Sequence, residues 1–502
     1  MSLGVLGLLL LASLALRLPF FFRAVINIDE GPFLLVGQSL LEGHLPYVER
    51  FALKPPLAFA LYAVAGAVSG RSLIGVRLVG ALFVVATAFL LYLIVARLWD
   101  RRAGLVAALL CVVTISLIPT GQATLTEHLA LPWLIGALWL LIGRPPSVPA
   151  CFLAGVLMAV AALVRLNLAF AAVVIGACLL ALTIRRAPLT AVRQGAAFAL
   201  GGALVVALTW VPYALTGQSR VWWSAVVVAP LGYSELRSTL FLHLRTYVRD
   251  ALMVYGYDTG LPRVRFPAVA FVWLGAVAGW TVVLARWRAP GLDRRGVLLF
   301  AAATAGVGLG ILKSGAPHPH HMIELVPFAA ALAGVFLCWL VGRRRWLVAA
   351  IVGLLVLASI ELIIAEYQLV TTRARTQRPL RHGQAFDIAE YLGRENPDRR
   401  PVYLLGDEVA YWLAGLAPPT RLTTHPATIL EPSVLVAMDG PGASAMSEIR
   451  KVFDRRPAFV VVGPRPALPD DTRQWLQQTL ESDYTVEGNV RGRVVYRRRA
   501  DR

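Results

Sequence analysis

Charged residues are scarce in this chain. Of its 502 residues only 15% are charged and 58% are hydrophobic, whereas soluble domains carry about 25% charged and about 45–50% apolar residues. An ordinary soluble enzyme is therefore excluded. The high apolar fraction also excludes a disordered chain, and the lack of a short repeat excludes a fibrous one. Because apolar blocks recur through most of the sequence and the mean hydropathy is +0.67, we expect a polytopic membrane protein.

Cysteines and acidic residues are also few. The four cysteines, Cys111, Cys151, Cys178 and Cys338, all lie inside apolar blocks, so we expect no structural disulfide. Lys and Arg number 48 against 29 Asp and Glu. Such an excess can indicate nucleic-acid binding, but here the basic residues form short clusters between apolar blocks, as in the cytoplasmic loops of membrane proteins. We therefore expect membrane lipids and no nucleic acid among the partners.

The apolar blocks predict about eleven membrane spans. The block 2–22 is long enough to cross a bilayer about 30 Å thick. It has neither a basic n-region nor an A-x-A cleavage site, which favours a first helix over a removed signal peptide. The block 57–69 is too short to cross and predicts a re-entrant or interfacial helix. The other predicted spans are 73–95, 103–119, 129–142, 150–164, 167–184, 195–216, 267–285, 296–313, 322–341 and 346–366.

The distribution of arginine sets the expected orientation. With the N-terminus in the cytoplasm, inner loops such as 97–102 and 285–295 are rich in arginine and poor in acids, as the positive-inside rule requires. An odd number of spans then places residues 367–502 outside, where shorter apolar runs predict a small α/β domain. We expect an α-helical transmembrane domain over 1–366 and an extracytoplasmic α/β domain over 367–502. The predicted tail strands are Pro401–Leu405, Ala458–Gly463 and Val490–Tyr496, and the predicted tail helices are 384–394, 443–453 and 471–480.

The first outer loop, residues 23–56 (loop one below), carries ionisable groups beside apolar helices. Asp29 and Glu30 adjoin, so they point in different directions and cannot form one catalytic pair. One could act as a general base while the other orients a helix or binds a cation; alternatively, both end the first helix in solvent. Lys54 precedes Pro55 and Pro56, where backbone donors are missing. It suits a phosphate or carboxylate ligand, or it is a snorkelling interfacial lysine.

Further ionisable groups occur in the other outer loops. Glu127 and His128 could hold a substrate or a water, or could cap the helix predicted to start at Leu129. Arg165 and Asn167 mark the turn between two apolar spans, and an arginine on the outer face runs against the positive-inside rule. Because ionisable groups at membrane depth are costly, these residues indicate a site opening outward.

A group of three histidines, His318, His320 and His321, lies in the last outer loop. Histidines can indicate a metal, but no second Cys or His group stands at ligand spacing, which disfavours structural zinc. Hydrogen bonding to an anionic group or a sugar hydroxyl is the better prediction. Together with these histidines, the candidate substrate-binding residues are Glu30, Lys54, Glu127, His128 and Arg165. The sequence indicates no required cofactor and leaves a divalent metal open.

Several short motifs occur along the chain. They are Asn27-Ile-Asp29-Glu30-Gly31-Pro-Phe33, Leu40-Leu41-Glu-Gly43-His-Leu-Pro46-Tyr47, Lys54-Pro55-Pro56-Leu57, Leu61-Tyr62-Ala63, Arg77-Leu78, Thr126-Glu127-His128, Arg165-Leu-Asn167, Glu324-Leu-Val-Pro327, Gly406-Asp407-Glu408, Tyr411-Trp412-Leu413 and Pro418-Pro419-Thr420-Arg421. Together they resemble a known family, the bacterial polyprenyl-phosphate-sugar-dependent GT-C glycosyltransferases, which contains the lipid A aminoarabinose transferase and relatives of the protein O-mannosyltransferases. The loop-one segment is the specific part of the resemblance, and the rest is suggestive.

The resemblance implies a GT-C fold with juxtamembrane helices in loop one and an outer α/β domain. It implies that Asp29 is the catalytic base and that Lys54 contacts the donor phosphate. Glu127 stands where an Asp is common, and Arg165 stands where a Lys is often found, which keeps the charge but alters its geometry. Some relatives carry a bound metal, whose ligands the resemblance does not place in this chain.

The expected function is therefore a membrane glycosyltransferase. It would move a sugar from a polyprenyl-phosphate donor to a hydroxyl of a lipid, glycan or protein acceptor on the outer face of the plasma membrane, with inversion. The alternative is a transporter or flippase of lipid-linked sugars, which should show inverted repeats or charges near the midplane. A glycan-binding sensor or scaffold is a third reading, but it would not need the acids of loop one.

Overall fold

The computed structural model describes residues 2–143, 145–234, 245–246, 267–314, 317–342, 344–463 and 468–499. Contacts divide the chain into two compact units. The first unit comprises Met1–Phe21, Arg77–Thr209 and Arg237–Thr376, and the second comprises Phe22–Val76, Trp210–Leu236 and Gln377–Arg502. Loop one therefore folds with the C-terminal residues. The predicted domain boundary at residue 366 stays a prediction.

Helices dominate the described residues. In chain order they are α1 (Ser2–Arg17), α2 (Glu30–Leu41), α3 (Pro56–Ser69), α4 (Leu73–Leu98), α5 (Arg101–Leu117), α6 (Thr126–Leu141), α7 (Val148–Val164), α8 (Ala169–Ile184), α9 (Pro188–Leu215), α10 (Ser219–Trp223), α11 (Ala229–Ser234), α12 (Pro267–Ala285), α13 (Arg294–Leu312), α14 (Val326–Val341), α15 (Arg345–Leu357), α16 (Glu361–Arg375), α17 (Gln384–Glu395), α18 (Val409–Ala414), α19 (Pro432–Asp439), α20 (Ala445–Asp454) and α21 (Asp470–Asp483). Short 3-10 helices, among them Leu18–Phe22, Pro119–Gln122, Leu166–Leu168, Pro319–Leu325 and Pro426–Leu430, connect several of them.

Seven helical segments of the described chain are long and apolar enough to cross a membrane. They are Leu3–Phe22, Leu73–Leu98, Leu166–Ile184, Pro188–Leu215, Pro267–Ala285, Arg294–Leu312 and Pro319–Val341. The pair Trp346–Leu357 and Glu361–Arg375, bent by 60°, would be an eighth if it is one span. The predicted polytopic, mainly helical membrane fold is thus confirmed.

The predicted count of about eleven spans included shorter helices. The short apolar helices α3, α6 and α7 form where apolar blocks were predicted. A helix of 16 residues such as α6 is about 24 Å long, less than the roughly 30 Å hydrocarbon core. Length alone therefore does not make these helices spans, and the total of eleven stays a prediction.

The second unit contains the small sheet expected in the tail. Strands β1 (Val402–Leu405) and β2 (Phe459–Val462) pair in parallel, with Val402 opposite Phe459. Strand β2 pairs antiparallel with β4 (Arg493–Arg498), which pairs antiparallel with β3 (Tyr484–Val490). The order is β1-β2-β4-β3. With helices packed on it, this sheet gives the predicted α/β architecture.

The strand predicted over 490–496 is instead the corner of a hairpin. Strand β3 ends at Val490 and β4 begins at Arg493. The two residues between them, Arg491 and Gly492, have φ of +48° and +84°. Positive φ at both positions is the geometry of the tight turns that join twisted antiparallel strands. The apolar pattern Val494-Val495-Tyr496 located β4, but it did not locate β3.

A hydrophobic core forms where the helices cover one face of this sheet. Its buried residues include Tyr403 and Val460 from the strands, Ile449 and Val452 from α20, and Leu476 from α21. Helix α20 begins at a Ser444 capping box that satisfies its first backbone N–H groups. The core is continuous, so the tail segments fold as one body.

Loop one packs closely within the second unit. Helices α2 and α3 cross at Gly37, where an added Cβ would lie 2.8 Å from the backbone nitrogen of Ala63. Near the start of α2, a Cβ on Gly31 would lie 2.6 Å from the nitrogen of Val409, the first residue of α18. The two glycines let backbone approach backbone. The start of α2 is therefore held against the C-terminal residues.

Candidate functional site

Asp29 stands at the N-terminal end of α2 but does not cap it. The residue lies in the N-cap position with helical φ and ψ, and its side chain accepts no hydrogen bond from the helix backbone. Its own N–H donates to Asn27 Oδ1 at 2.9 Å. An aspartate at this position usually bonds to the second or third helical N–H. The Asp29 carboxylate is instead directed to a partner elsewhere in the chain.

That partner is His425. Its Nε2 lies 3.1 Å from Asp29 Oδ1, and the two side chains are 13% and 18% exposed. His425 precedes the 3-10 helix Pro426–Leu430, and its Nδ1 accepts the N–H of Ala427 at 3.0 Å. A carboxylate predicted from loop one thus meets a histidine 396 positions later in the chain. Both residues belong to the second unit.

Lys54 is fixed by its backbone and by an aromatic ring. Its carbonyl accepts the hydroxyl of Tyr47 at 2.7 Å, and its N–H donates to Ala52 O at 2.8 Å. Its ammonium lies 5.5 Å from the centre of the Phe33 ring, which comes from α2. A cation over an aromatic face is stabilised by about 0.5–1 kcal/mol when exposed and more when desolvated. The lysine is therefore oriented by its contact with the ring, and its role as a phosphate ligand stays a prediction.

Tyr47 organises the aromatic residues around Lys54. It has a φ of +71°, uncommon outside glycine, and is fully buried. Its ring packs against Phe51, Phe59 and Tyr213 with centroids 6.0, 5.7 and 6.3 Å away. Burial raises the pKa of Tyr47 well above its usual value, so its hydroxyl stays a donor. This cluster makes loop one a rigid support for Lys54.

A second polar group lies in the first unit, and we call it the Arg165 cluster. Its members are Thr126, Glu127, Arg165, Asn167 and Glu324. They come from the start of α6, the end of α7, the 3-10 helix before α8 and the 3-10 helix before α14. Ends of several helices of this unit thus converge. The predicted residues Glu127 and Arg165 are brought together.

Arg165 links two buried carboxylates. Its Nη2 lies 3.0 Å from Glu127 Oε1, and its Nε donates to Glu324 Oε1. The exposed fractions of the Arg165, Glu127 and Glu324 side chains are 5%, 2% and 0%. Asn167 donates to Glu324 Oε2 at 2.8 Å. Because the fork of a guanidinium can serve several acceptors at once, a lysine could not make the same set of bonds.

The three histidines adjoin this cluster. His320 Nε2 lies 3.7 Å from Glu127 Oε1, and Ser314 Oγ lies 3.0 Å from His321 Nδ1. The His318 ring stacks on His320 with centroids 5.3 Å apart. Two acids, Glu127 and Glu324, thus share the guanidinium of Arg165. A protonated histidine or a bound cation beside them would add positive charge to the cluster.

Glu127, His320 and His321 are a set that could hold a metal ion. One ligand atom from each lies within 4.8 Å of the others. Two His and one Glu are the donors of some catalytic zinc sites. Ligands about 2.1 Å from Zn²⁺ are at most about 4.2 Å apart, so binding would require a small inward movement. The donor types fit a divalent ion.

His128 and Glu30, two further residues predicted to bind substrate, each lie in the first turn of a helix. Helix α6 begins at Thr126 and not at Leu129 as predicted, and His128 Nδ1 accepts the N–H of Leu125 at 3.1 Å. His128 therefore caps the helix, which is the alternative role considered for this pair. Glu30 is fully buried in the first turn of α2. Substrate binding by either residue stays a prediction.

Three basic or imidazole groups, His425, Arg17 and Arg77, were not among the predicted site residues, although Arg77 belongs to one of the family motifs. His425 is an isolated histidine before a proline, so no local pattern distinguishes it. Arg17 and Arg77 are both fully buried. Arg17 donates to the carbonyls of Gly121 and Ala123 at 2.5 and 3.2 Å, and Arg77 donates to Phe20 O at 2.6 Å. Each arginine interrupts an apolar stretch, a signal that could have marked it as buried and paired.

A depression of about 610 Å³ is found elsewhere in the first unit. It is lined by Arg97, Leu140, Ile142, Gly143, Pro145, Pro146, Ser147 and Ala150. None of the predicted site residues is among these lining residues. The candidate site is therefore defined by its side-chain chemistry and not by this depression.

Comparisons with known proteins are in line with these features. The sequence model of the family described as dolichyl-phosphate-mannose-protein mannosyltransferase matches residues 53–213, less than half of the chain. A search of curated protein sequences finds no match. Among solved structures, that of ArnT from Cupriavidus metallidurans in the apo state matches with a TM-score of 0.63 and 17% identity, over 99% of this chain and 98% of that one.

Two further structures are similar. ArnT from Cupriavidus metallidurans bound to undecaprenyl phosphate matches with a TM-score of 0.63 and 16% identity, over 99% of this chain and 98% of that one. The Archaeoglobus fulgidus oligosaccharyltransferase in the apo form matches with a TM-score of 0.52 and 16% identity, over 92% of this chain and 69% of that one. At such identities the likeness establishes the fold. The chain has the fold of ArnT, which is the GT-C fold expected from its sequence motifs.

Proposed function

We propose that this protein is a membrane glycosyltransferase that uses a polyprenyl-phosphate sugar as donor. The acceptor is a hydroxyl of a lipid, glycan or protein. One observation carries the proposal: Asp29, the residue that the family resemblance marks as the base, keeps its carboxylate out of the helix cap and bonds it to His425 at 3.1 Å. A carboxylate held in this way is suited to accept a proton. The GT-C fold makes this reaction class the expected one.

The chemistry follows from the two loop-one side chains. Asp29 takes the proton of the acceptor hydroxyl as its oxygen attacks the anomeric carbon. The bond from that carbon to the phosphate oxygen breaks, and the configuration inverts. The polyprenyl phosphate leaves without protonation, because the Lys54 ammonium, oriented over the Phe33 ring, compensates its developing charge.

The polar residues of the first unit are proposed to bind substrate. Arg165 presents a positive charge whose direction is fixed by Glu127 and Glu324. His318, His320 and His321 offer ring nitrogens that hydrogen-bond an anionic group or a sugar hydroxyl. Glu30 and His128 are proposed as substrate-binding residues as well.

Glu127, His320 and His321 are the residues that would hold a divalent ion. When bound, such an ion would supply positive charge for an anionic substrate group. Zn²⁺ should then raise the melting temperature of the wild-type protein and not that of His320→Ala, with His44→Ala as the exposed-histidine control. An equal shift in all three proteins would argue against the site.

The protein is proposed to work in the bacterial plasma membrane, with its N-terminus in the cytoplasm and residues 367–502 outside. Arginine-rich inner loops support this orientation. Asp398 is exposed in the tail, so an Asp398→Cys variant should react with a membrane-impermeant maleimide in intact spheroplasts. Labelling that requires permeabilised membranes would reverse the orientation.

The central test is the Asp29→Asn variant. Purified protein is incubated with a panel of undecaprenyl-phosphate-linked pentoses and hexoses, and released undecaprenyl phosphate is measured. Loss of the base should lower the rate about 10²–10⁴-fold and leave the melting temperature close to that of the wild type. The control is Glu49→Gln, which alters an exposed acid of the same loop. Wild-type turnover by Asp29→Asn would refute the assignment of the base.

A further inference from the structure

The contact between Asp29 and His425 joins two segments that are far apart in sequence. Asp29 lies at the start of α2, and His425 lies in the tail segment of residues 421–431. The same segment is tied to loop one at a second point, because the N–H of Phe51 donates to Arg421 O at 3.0 Å. The histidine is thus held at its place by backbone bonds as well as by its side chain.

Arg421, which ties this segment to loop one, is itself held by further contacts. Arg421 donates to Met438 O at 2.6 Å and forms an ion pair with Asp439. Lys451 Nζ lies 2.6 Å from the other oxygen of Asp439. These two cations lower the pKa of Asp439, so the carboxylate stays charged over the neutral range. The segment that carries His425 therefore starts from a rigid point.

The hydrogen bonds of the imidazole fix its tautomer. Nδ1 accepts the N–H of Ala427 at 3.0 Å, so Nδ1 carries no hydrogen in this arrangement. In a neutral imidazole the proton then resides on Nε2. Nε2, 3.1 Å from Asp29 Oδ1, is the donor of that bond. Backbone geometry thus makes His425 a donor to the carboxylate, which is the role a positioning group needs.

We propose that His425 is a positioning residue for Asp29: its Nε2–H donates to Oδ1 and holds the carboxylate ionised and oriented for proton abstraction. The inference rests on the proposed role of Asp29 as the base. Preorganisation of this kind lowers the barrier because the base need not search for its orientation during the reaction. His425 itself need not touch either substrate.

Other titratable groups surround the pair. Glu30 follows Asp29 on α2, Glu431 ends the His425 segment, and Glu408 lies beside Gly31. Burial raises the pKa of Glu408 to about 8. Glu408 titrates in wild type and in His425 variants alike, so a difference between their pH profiles reports on His425.

The experiment compares His425→Ala and His425→Gln with wild type, using release of undecaprenyl phosphate from the donor panel. Removing the donor should lower kcat about tenfold with little change in KM. It should also move the acidic limb of the kcat/KM profile up by about one pH unit, because a bond to the charged form is lost. His425→Gln, whose amide can donate in the same direction, should restore most of both effects. The control His44→Ala removes an exposed histidine of loop one.

Three outcomes would overturn the inference. The first is an acidic limb that does not move in His425→Ala, and the second is equal impairment by Ala and Gln. The third is additive changes in melting temperature in a double-mutant cycle of Asp29→Asn with His425→Ala, since a bonded pair should couple. If Asp29→Asn is inactive while His425→Ala behaves as wild type, only this inference fails. If Asp29→Asn is fully active, the proposed base itself fails.

Discussion

The two units hold their acidic side chains in different ways. In the first unit, Glu127 and Glu324 share the guanidinium of Arg165, and all three side chains are almost completely buried. In the second unit, Asp29 faces a neutral imidazole and is 18% exposed. A strong cation fixes an acid in its charged form and occupies its oxygens, whereas a neutral donor orients it and leaves it basic. The first arrangement suits binding and stability, and the second suits proton transfer.

Removing Arg165 should give the largest change in stability. Arg165→Ala leaves two carboxylates buried without their shared cation, which costs about 3–5 kcal/mol. A clear fall in melting temperature is expected, with a smaller fall for Arg165→Lys because an ammonium cannot reproduce the fork.

Lys313→Ala is the matched control, since Lys313 is an exposed basic residue at the end of α13. If Arg165→Ala melted at the wild-type temperature, the first unit would not depend on its ion pairs and the contrast between the units would disappear.

Glu408 tests the same comparison within the second unit, because it is a buried acid whose pKa burial raises to about 8. Its neighbour Asp407 has an ion pair with Arg493 at 2.6 Å, whereas Glu408 Oε1 accepts the N–H of Gly406 at 3.1 Å. Between about pH 4.5 and pH 8 the Glu408 carboxyl therefore holds a proton in the folded state that it has lost in the unfolded chain. Over this window the free energy of unfolding should fall as the pH rises, by about 1.4 kcal/mol per unit.

A Glu408→Gln variant should lose this slope, because the amide is neutral at every pH and can still accept from Gly406. Urea unfolding at pH 5.5, 6.5 and 7.5 measures the difference, with Glu481→Gln as an exposed control in the same tail. Parallel slopes for wild type and Glu408→Gln would mean that Glu408 is ionised in the folded state.

Lys54 should give the smallest change of the three. A charge-assisted bond to phosphate is worth about 1.5–3 kcal/mol, so Lys54→Ala should weaken the binding of undecaprenyl phosphate about tenfold to a hundredfold, measured as a Kd in detergent. Arg71→Ala removes a half-exposed cation near Glu42 and should leave the Kd unchanged. Equal Kd values for Lys54→Ala and wild type would remove Lys54 from the phosphate site and leave Asp29 as the single proposed catalytic group of loop one.

Much of the architecture was predictable because it depends on local sequence. The span expected over 267–285 is Pro267–Ala285, and the short helix expected over 57–69 is Pro56–Ser69. Long apolar runs specify helices in a membrane wherever they fold, since backbone groups must bond within the segment. Loop-one motifs likewise indicated the GT-C fold. Strand β3, which has few apolar residues, and the tail helices α18 and α19 were missed.

The candidate site was predictable as a set of residues and not as a set of contacts. Glu127, Arg165 and the histidines were recognised as polar groups in apolar surroundings, but their convergence with Glu324 was not. His425 had no local signal at all, because a histidine before a proline is common in loops. Which polar groups meet depends on how helix ends pack, and helix packing is a long-range property.

The sequence by itself thus determined the membrane helices, the α/β tail and the identity of the acid at position 29, because apolar run length, strand alternation and short motifs are local. Tertiary structure alone decided what that acid contacts. Its bond to His425 requires the tail to fold against loop one, through the Phe51–Arg421 hydrogen bond and the close approach at Gly31. No pattern within either segment encodes that meeting, since its energy comes from packing between residues almost four hundred positions apart.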